Sequence, residues 1–316
     1  MQSQTTSRIL MIRPVRFGFN EQTADSNAFQ NPSLAEVADR SSDASGDPTQ
    51  AEAQREFDEM VRQLRAAGVD VMVYNDSPEP HTPDSIFPNN WVSFHYSGTV
   101  VLYPMQAENR RLERRQDIID DLAQRFHVSR VVDLTHFEQE GKFLEGTGSM
   151  VLDRMNRVAF ACLSVRTNPE VLAEFRDRTG YKTVLFHAVD QNGTPVYHTN
   201  VVMCIGDTFA VVCLQAIPDV DERLMIRQEL ERLGKRVIEI TIDQMNAFAG
   251  NMLLVATTKG KKLLVMSKRA YNSLTEKQID ILDDYAAIQS FDLSAIEANG
   301  GGSARCMLAE VHLPEK

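Results

Sequence analysis

Cysteine is scarce in this chain, with four in 316 residues and none in C-x-x-C spacing. That argues against a disulfide scaffold and a zinc knuckle, both of which need paired thiols at short intervals. Three of the four, Cys162, Cys204 and Cys213, sit in apolar runs (VAFACL, VVMCIG, VVCL) that read as buried strands. Long hydrophobic stretches are missing too. No run approaches the roughly 20 apolar residues of a bilayer helix, and the start, MQSQTTSRILMIRP, has neither a long apolar segment nor a small-residue cleavage site. The expectation is a cytoplasmic protein with no membrane partner. Positive charge is also short: 33 Lys and Arg against 44 Asp and Glu leave a net charge of −11. The main basic stretch, ENRRLERR, carries its own glutamates at helical spacing and reads as a solvated helix face, which argues against a nucleic-acid partner.

What the chain does have is enough apolar content, 43%, for a full core. Its apolar runs recur in a fixed order. Five units each begin with a helical pattern, pass through a short strand and a polar loop, and continue into an apolar strand that usually turns back on itself. The helix of the first, AEAQREFDEMVRQLRAAG, places Phe57, Met60, Val61 and Leu64 three and four apart and stops at Gly68. In the second unit one helix is expected over NRRLERRQDIIDDLAQRF. The fifth unit lacks a return strand, and the N-terminal run RILMIRP is a strand without a helix before it, so the two are expected to pair. Such closure removes exposed sheet edges. The fold class expected is α/β: a fivefold pseudosymmetric propeller or barrel of ββαβ-type repeats, residues 1–316 forming one domain with all five polar loops at one end. A polar insertion at about 15–51 interrupts it. Its half around Phe17, Asn20 and Phe29 is expected to be a lid, and SSDASGDPTQ to be disordered.

The five loops carry Asp84, Phe87 and Asn90, then Glu145, then His198 and Asn200, then Asn251, then Cys306. Closure would therefore gather a nucleophile, an acid/base and an orienting carboxylate. Cysteine attacks as thiolate, which a neighbouring imidazolium stabilises, and a glutamate on the other ring nitrogen fixes the tautomer. Gly300, Gly301 and Gly302 let backbone approach a ligand. Each residue has an ordinary alternative: an inert buried thiol, a satisfied core histidine, a turn-capping glutamate, a flexible glycine linker. Their placement at equivalent points of different repeats counts against all four alternatives together.

The segments DSIFPNNW, LEGTGSMVLDR, VYHTN and GGGSARCM resemble the motifs of the guanidine-modifying (pentein) superfamily, which includes arginine deiminases, dimethylarginine hydrolases and amidinotransferases. RPVRFGFNEQTADSNAF and YPMQAENRRLERR are similar to the branch called citrulline utilization hydrolase or amidinotransferase-like. The resemblance covers nearly the whole chain. It implies that Cys306 attacks a guanidino or ureido carbon, that His198 protonates the departing nitrogen, and that Glu145 supports the histidine, with neither metal nor cofactor. It also implies a small ureido or guanidino amino acid as partner and leaves a homo-oligomer open. Deiminases typically grip the guanidinium with aspartates where this chain has Asn90 and Asn200. Amides both donate and accept, so the expected substrate is neutral: citrulline, giving ornithine, ammonia and carbon dioxide. Asp84 either reaches the ligand or caps its loop. Asn251 stands at the same repeat position with no catalytic partner assigned, so Asn90 and Asn200 could instead bond local backbone. Arg305 either binds a substrate carboxylate or forms a structural ion pair. The alternatives are an arginine deiminase or dimethylarginine-type hydrolase, an amidinotransferase, and, more remotely, a non-catalytic binding protein on the same barrel.

Overall fold

In the computed structural model of the protein, residues 3–30 and 48–316 are described. Among the described residues fifteen strands form five three-stranded sheets. The first sheet joins the two ends of the chain: β1 (Arg8–Arg13) lies between β15 (Ala309–Glu310), antiparallel, and β2 (Asp70–Asn75), parallel. The others repeat that order with a hairpin and the next strand along the chain. They are β3 (Val92–Phe94), β4 (Thr99–Leu102) and β5 (Arg130–Asp133); then β6 (Val151–Asp153), β7 (Val158–Cys162) and β8 (Lys182–Phe186). Next come β9 (Met203–Ile205), β10 (Phe209–Val212) and β11 (Arg236–Glu239), and last β12 (Leu253–Ala256), β13 (Lys262–Ser267) and β14 (Ala287–Phe291). In each of these four sheets the hairpin pairs antiparallel and the third strand parallel. Central strands such as β7 and β10 are buried at every residue, which is why they read as unbroken apolar runs.

The expected pairing of the first and last strands is present, with Ile9 opposite Glu310. The first long helix spans Pro48–Ala66 and buries Phe57, Met60, Val61 and Leu64. It starts earlier than expected, so Pro48–Gln50, the end of the segment expected to be disordered, are helical, while residues 31–47 lie outside the described residues. The expected single helix of the second unit is two, Glu108–Arg111 and Gln116–Arg125. Later helices open on side-chain caps, Asn168 before Pro169–Thr179, Asp219 before Val220–Arg232 and Thr275 before Glu276–Asp283. Among the described residues no helix is long and apolar enough to cross a membrane.

Between the sheets run buried polar ties. Gln4 donates to Leu152 O at 2.8 Å and accepts from Arg154 N at 2.7 Å, fastening the N-terminal segment to β6 and its turn. Lys235 pairs with Asp153 at 3.1 Å, and Arg154 and Arg305 approach Glu310 at 3.4 and 2.9 Å.

Candidate active site

The loops that precede β3, β6 and β9 pack on one another through glycine. Glu145 immediately precedes the one-turn helix Gly146–Ser149, its side chain making no capping bond. A Cβ on Gly146, whose φ is +48°, would stand 2.3 Å from Asn89 O; one on Gly148 would meet Asn90 Nδ2 at 2.4 Å and His198 Nδ1 at 2.7 Å. The glycines of E-G-T-G are thus demanded by close approach to both neighbouring loops. His198 is extended and leads into the short helix Thr199–Val202, which Thr199 Oγ1 ties to Ser149 O at 2.6 Å. In the fifth unit the helix Ser294–Gly300 ends on left-handed Gly301. The chain then turns, Cys306 N donating to Ser303 O at 2.9 Å.

Around one narrow cavity stand Cys306, His198, Asp84, Phe87 and Asn90, with Gly300–Gly302 forming one wall. Two larger surface hollows, around Arg157 and around His136, gather no nucleophile. Glu145 sits behind His198, its Oε2 2.8 Å from His198 Nε2 and its Oε1 accepting from Gln106 N at 3.0 Å. Burial alone would raise the Glu145 carboxyl, but Arg166 at 3.4 Å, the bond from His198 and Arg110 at 3.7 Å hold it well below the usual carboxylate range. Burial draws His198 down to about 4, against the opposing pull of Glu145. Cys306 Sγ accepts from Asn200 Nδ2 at 3.4 Å and from Asn251 Nδ2 at 3.3 Å. Asn251, given no site role in the sequence, therefore touches the nucleophile.

Two arginines line the cavity that the sequence did not mark. Arg110 is only 2% exposed, bidentate to Glu113 at 2.8 and 3.0 Å, and donates to Asn90 Oδ1 at 3.0 Å. ENRRLERR is therefore not a solvated face throughout. Arg166 follows β7 and bridges Glu145 to Thr23 O at 3.2 Å and Ser26 Oγ at 2.6 Å. The only sequence sign of Arg110 was its spacing from Glu113; Arg166 gave none. Arg305 falls on the structural side of its two readings: its guanidinium is bound by Leu308 O at 2.7 Å and Glu310 at 2.9 Å, and it does not line the cavity.

Asp84 accepts from Asn20 Nδ2 at 2.7 Å through Oδ2, while its Oδ1 has no hydrogen-bond partner among the described residues. Burial raises its carboxyl, opposed by Arg110 and Asn20. Asn90 Nδ2 and Asn200 Oδ1 are likewise unpartnered. Residues 15–30 lie against this site. Asn27 donates to Gly300 O at 3.2 Å, Gln30 to Asn299 O at 3.0 Å, and Phe29 stacks near Tyr197 and Phe248.

A thiol, an imidazole backed by a carboxylate and unpaired amide and carboxyl atoms, set among the loops of five small sheets, define the class of guanidine-modifying pentein hydrolases. Residues 13–313 match the family described as N,N dimethylarginine dimethylhydrolase, eukaryotic. The chain belongs to that family, whose members hydrolyse carbon–nitrogen bonds other than peptide bonds. No curated protein matches it significantly by sequence. Among solved structures it is similar to the product-bound N-terminal domain of ArgZ, an arginine dihydrolase from the ornithine-ammonia cycle in cyanobacteria. The two share 17% identity over 97% of this chain and 98% of that one, with a TM-score of 0.74. Unliganded AgrE gives 16% identity over 98% of this chain but 40% of its own, TM-score 0.72. A dimethylarginine dimethylaminohydrolase adduct with 4-chloro-2-hydroxymethylpyridine gives 17% identity over 97% and 99%, TM-score 0.62. At these identities the likeness is one of fold.

Proposed function

We propose that the protein hydrolyses a ureido amino acid, citrulline, to ornithine, ammonia and carbon dioxide through a covalent intermediate on Cys306. The observation that carries this reading is the orientation of Asn90. Arg110 has only donors, so the amide must turn Oδ1 toward it, and Nδ2 is left as an unpaired donor at the cavity. A guanidinium has no acceptor for that donor. A ureido oxygen does, while its N–H groups suit Asp84 Oδ1 and Asn200 Oδ1. A buried donor left unpaired costs about 1–3 kcal/mol, which favours the head group that pairs it.

Cys306 Sγ adds to the ureido carbon and its proton passes to His198, whose imidazolium Glu145 stabilises. Ammonia leaves with that proton as the carbon–nitrogen bond breaks. Water, deprotonated by His198, then adds to the S-linked carbon, the thiol re-forms, and the released carbamate loses carbon dioxide to give ornithine. Asp84, Phe87, Asn90 and Asn200 position the head group, and residues 15–30 serve as the lid. The contacts of β15 with β3, β6 with β9 and β9 with β12 support a closed fivefold propeller as the scaffold of one catalytic domain.

A second reading, hydrolysis of a cationic guanidine such as arginine or its dimethyl derivatives, is favoured by the unpaired Asp84 Oδ1 and by the family's description. Incubation with citrulline, arginine, agmatine and methylated arginines, with ammonia and amine products measured, separates the two. Ornithine and ammonia from citrulline support the first; ammonia from arginine alone overturns it in favour of the second.

A further inference from the structure

Asn251 lies in the loop of the fourth repeat, which the reaction above leaves without a task. Its amide orientation is fixed from both ends by backbone: Nδ2 donates to Asn200 O at 2.9 Å, and Oδ1 accepts from Arg305 N at 3.0 Å. A carbonyl can only accept and a backbone N–H can only donate, so the amide cannot be flipped. The second hydrogen on Nδ2 then serves Cys306 Sγ at 3.3 Å. Asn251 is fully buried, and its partners Asn200 and Arg305 are buried as well. Among the described residues, the amides that donate to Sγ are those of Asn251 and Asn200, the latter at 3.4 Å with its own Oδ1 unpartnered. The imidazole is engaged with Glu145 through Nε2, and burial lowers its pKa, which weakens its hold on a positive charge.

We propose that Asn251, seconded by Asn200, is a catalytic residue that stabilises the Cys306 thiolate by direct N–H donation to sulfur. Hydrogen bonds to a charged acceptor are the stronger kind, and one from a pre-fixed donor needs no reorganisation as charge develops. Its use in turnover rests on the hydrolase reading above; its effect on the thiol does not. In turnover the thiol proton passes to His198, and without substrate it passes to water. The other charged or titratable groups near the sulfur are Arg305 beside it in sequence, Tyr197 and His198 from the third loop, and Asp84, Arg110 and Arg166 around the cavity. Of these, only Arg305 is bonded to Asn251 among the described residues, through its backbone N–H.

The test is the pH dependence of alkylation by iodoacetamide on the full chain without substrate, read as the mass of the Cys306 peptide. The other thiols do not compete: burial pushes Cys162 and Cys204 up to about 12 and Cys213 up to about 11. Asn251→Ala is expected to raise the midpoint of the alkylation profile by about one pH unit. Asn251→Asp, which keeps the acceptor for Arg305 N and adds a negative charge, raises it further. Should Asn251→Ala fail to fold by circular dichroism, Asn251→Ser is read in its place. An unmoved midpoint in a folded Asn251→Ala or Asn251→Ser variant overturns the proposal, even if citrulline is turned over. A raised midpoint sustains it, even if no ureido or guanidino compound is turned over and the proposed function fails.

Discussion

Burial sets the charge of His198 more strongly than its carboxylate partner does. Desolvation draws the imidazole down to about 4, and Glu145 recovers only part of that. A ring lowered in this way suits the role of base in the proposed reaction. A nuclear magnetic resonance titration of the histidines should show His198 neutral at pH 6.5 and protonating near 4; a midpoint at the ordinary 6.5 contradicts the account. The linkage has a definite sign. Because the folded value lies below the unfolded one, the unfolded chain takes up the proton first, and His198 costs stability as pH falls from 6.5 toward 4. The slope is about 1.4 kcal/mol per pH unit for one such group. Asn200→Asp should raise the ratio of kcat/KM for arginine over citrulline by about tenfold or more, through the charge it restores. An equal loss on both substrates would make the asparagine structural. Glu145, His198 and Cys306 were legible in sequence because chemistry-bearing residue types recur at equivalent repeat positions. Arg110 was not, since sequence reports a side chain's charge and not whether a helix that stops after one turn aims it inward.

Glycine spacing governs how the loops meet. The second loop touches the first at Asn90 and the third at His198 through Gly148, where a methyl group finds atoms at 2.4 and 2.7 Å. Gly148→Ala should therefore lower kcat/KM by about 100-fold while the circular dichroism spectrum stays unchanged, because it shifts two site residues without removing a core contact. Full activity in that variant would mean the loops are looser than their geometry. The elements themselves were largely readable from periodicity: the burial of Phe57, Met60, Val61 and Leu64 follows their spacing in sequence. The break between Glu108–Arg111 and Gln116–Arg125 was hidden, as ENRRLERRQDII has neither glycine nor proline and every residue suits a helix. Tertiary bonds draw the side chains around the break away from one helix face: Arg110 to Asn90 at the site and Arg114 to Glu138 on its flank.

The ends of the chain carry disproportionate weight in the whole molecule. β15 completes the sheet begun by β1, and Gln4 ties the segment before β1 to β6 and β9 through Leu152 O, Arg154 N and Ile205 O. Gln4→Ala leaves buried backbone groups unpaired and should cost about 2–4 kcal/mol, seen as a fall in the chemical denaturation midpoint at constant m-value. An unchanged midpoint would show that water replaces the side chain freely. The pairing of first and last strands was legible because one unit lacked a strand and another lacked a helix. The role of Gln4 was not, since a single polar residue before a strand carries no pattern. All of this scaffold serves one claim, that Cys306 forms a covalent bond to a ureido carbon. The most direct measurement is intact mass spectrometry of protein acid-quenched during turnover of citrulline. The account predicts an adduct of citrulline less ammonia on the Cys306 peptide, absent in Cys306→Ser. Turnover of citrulline with no adduct, or undiminished turnover in Cys306→Ser, would contradict it.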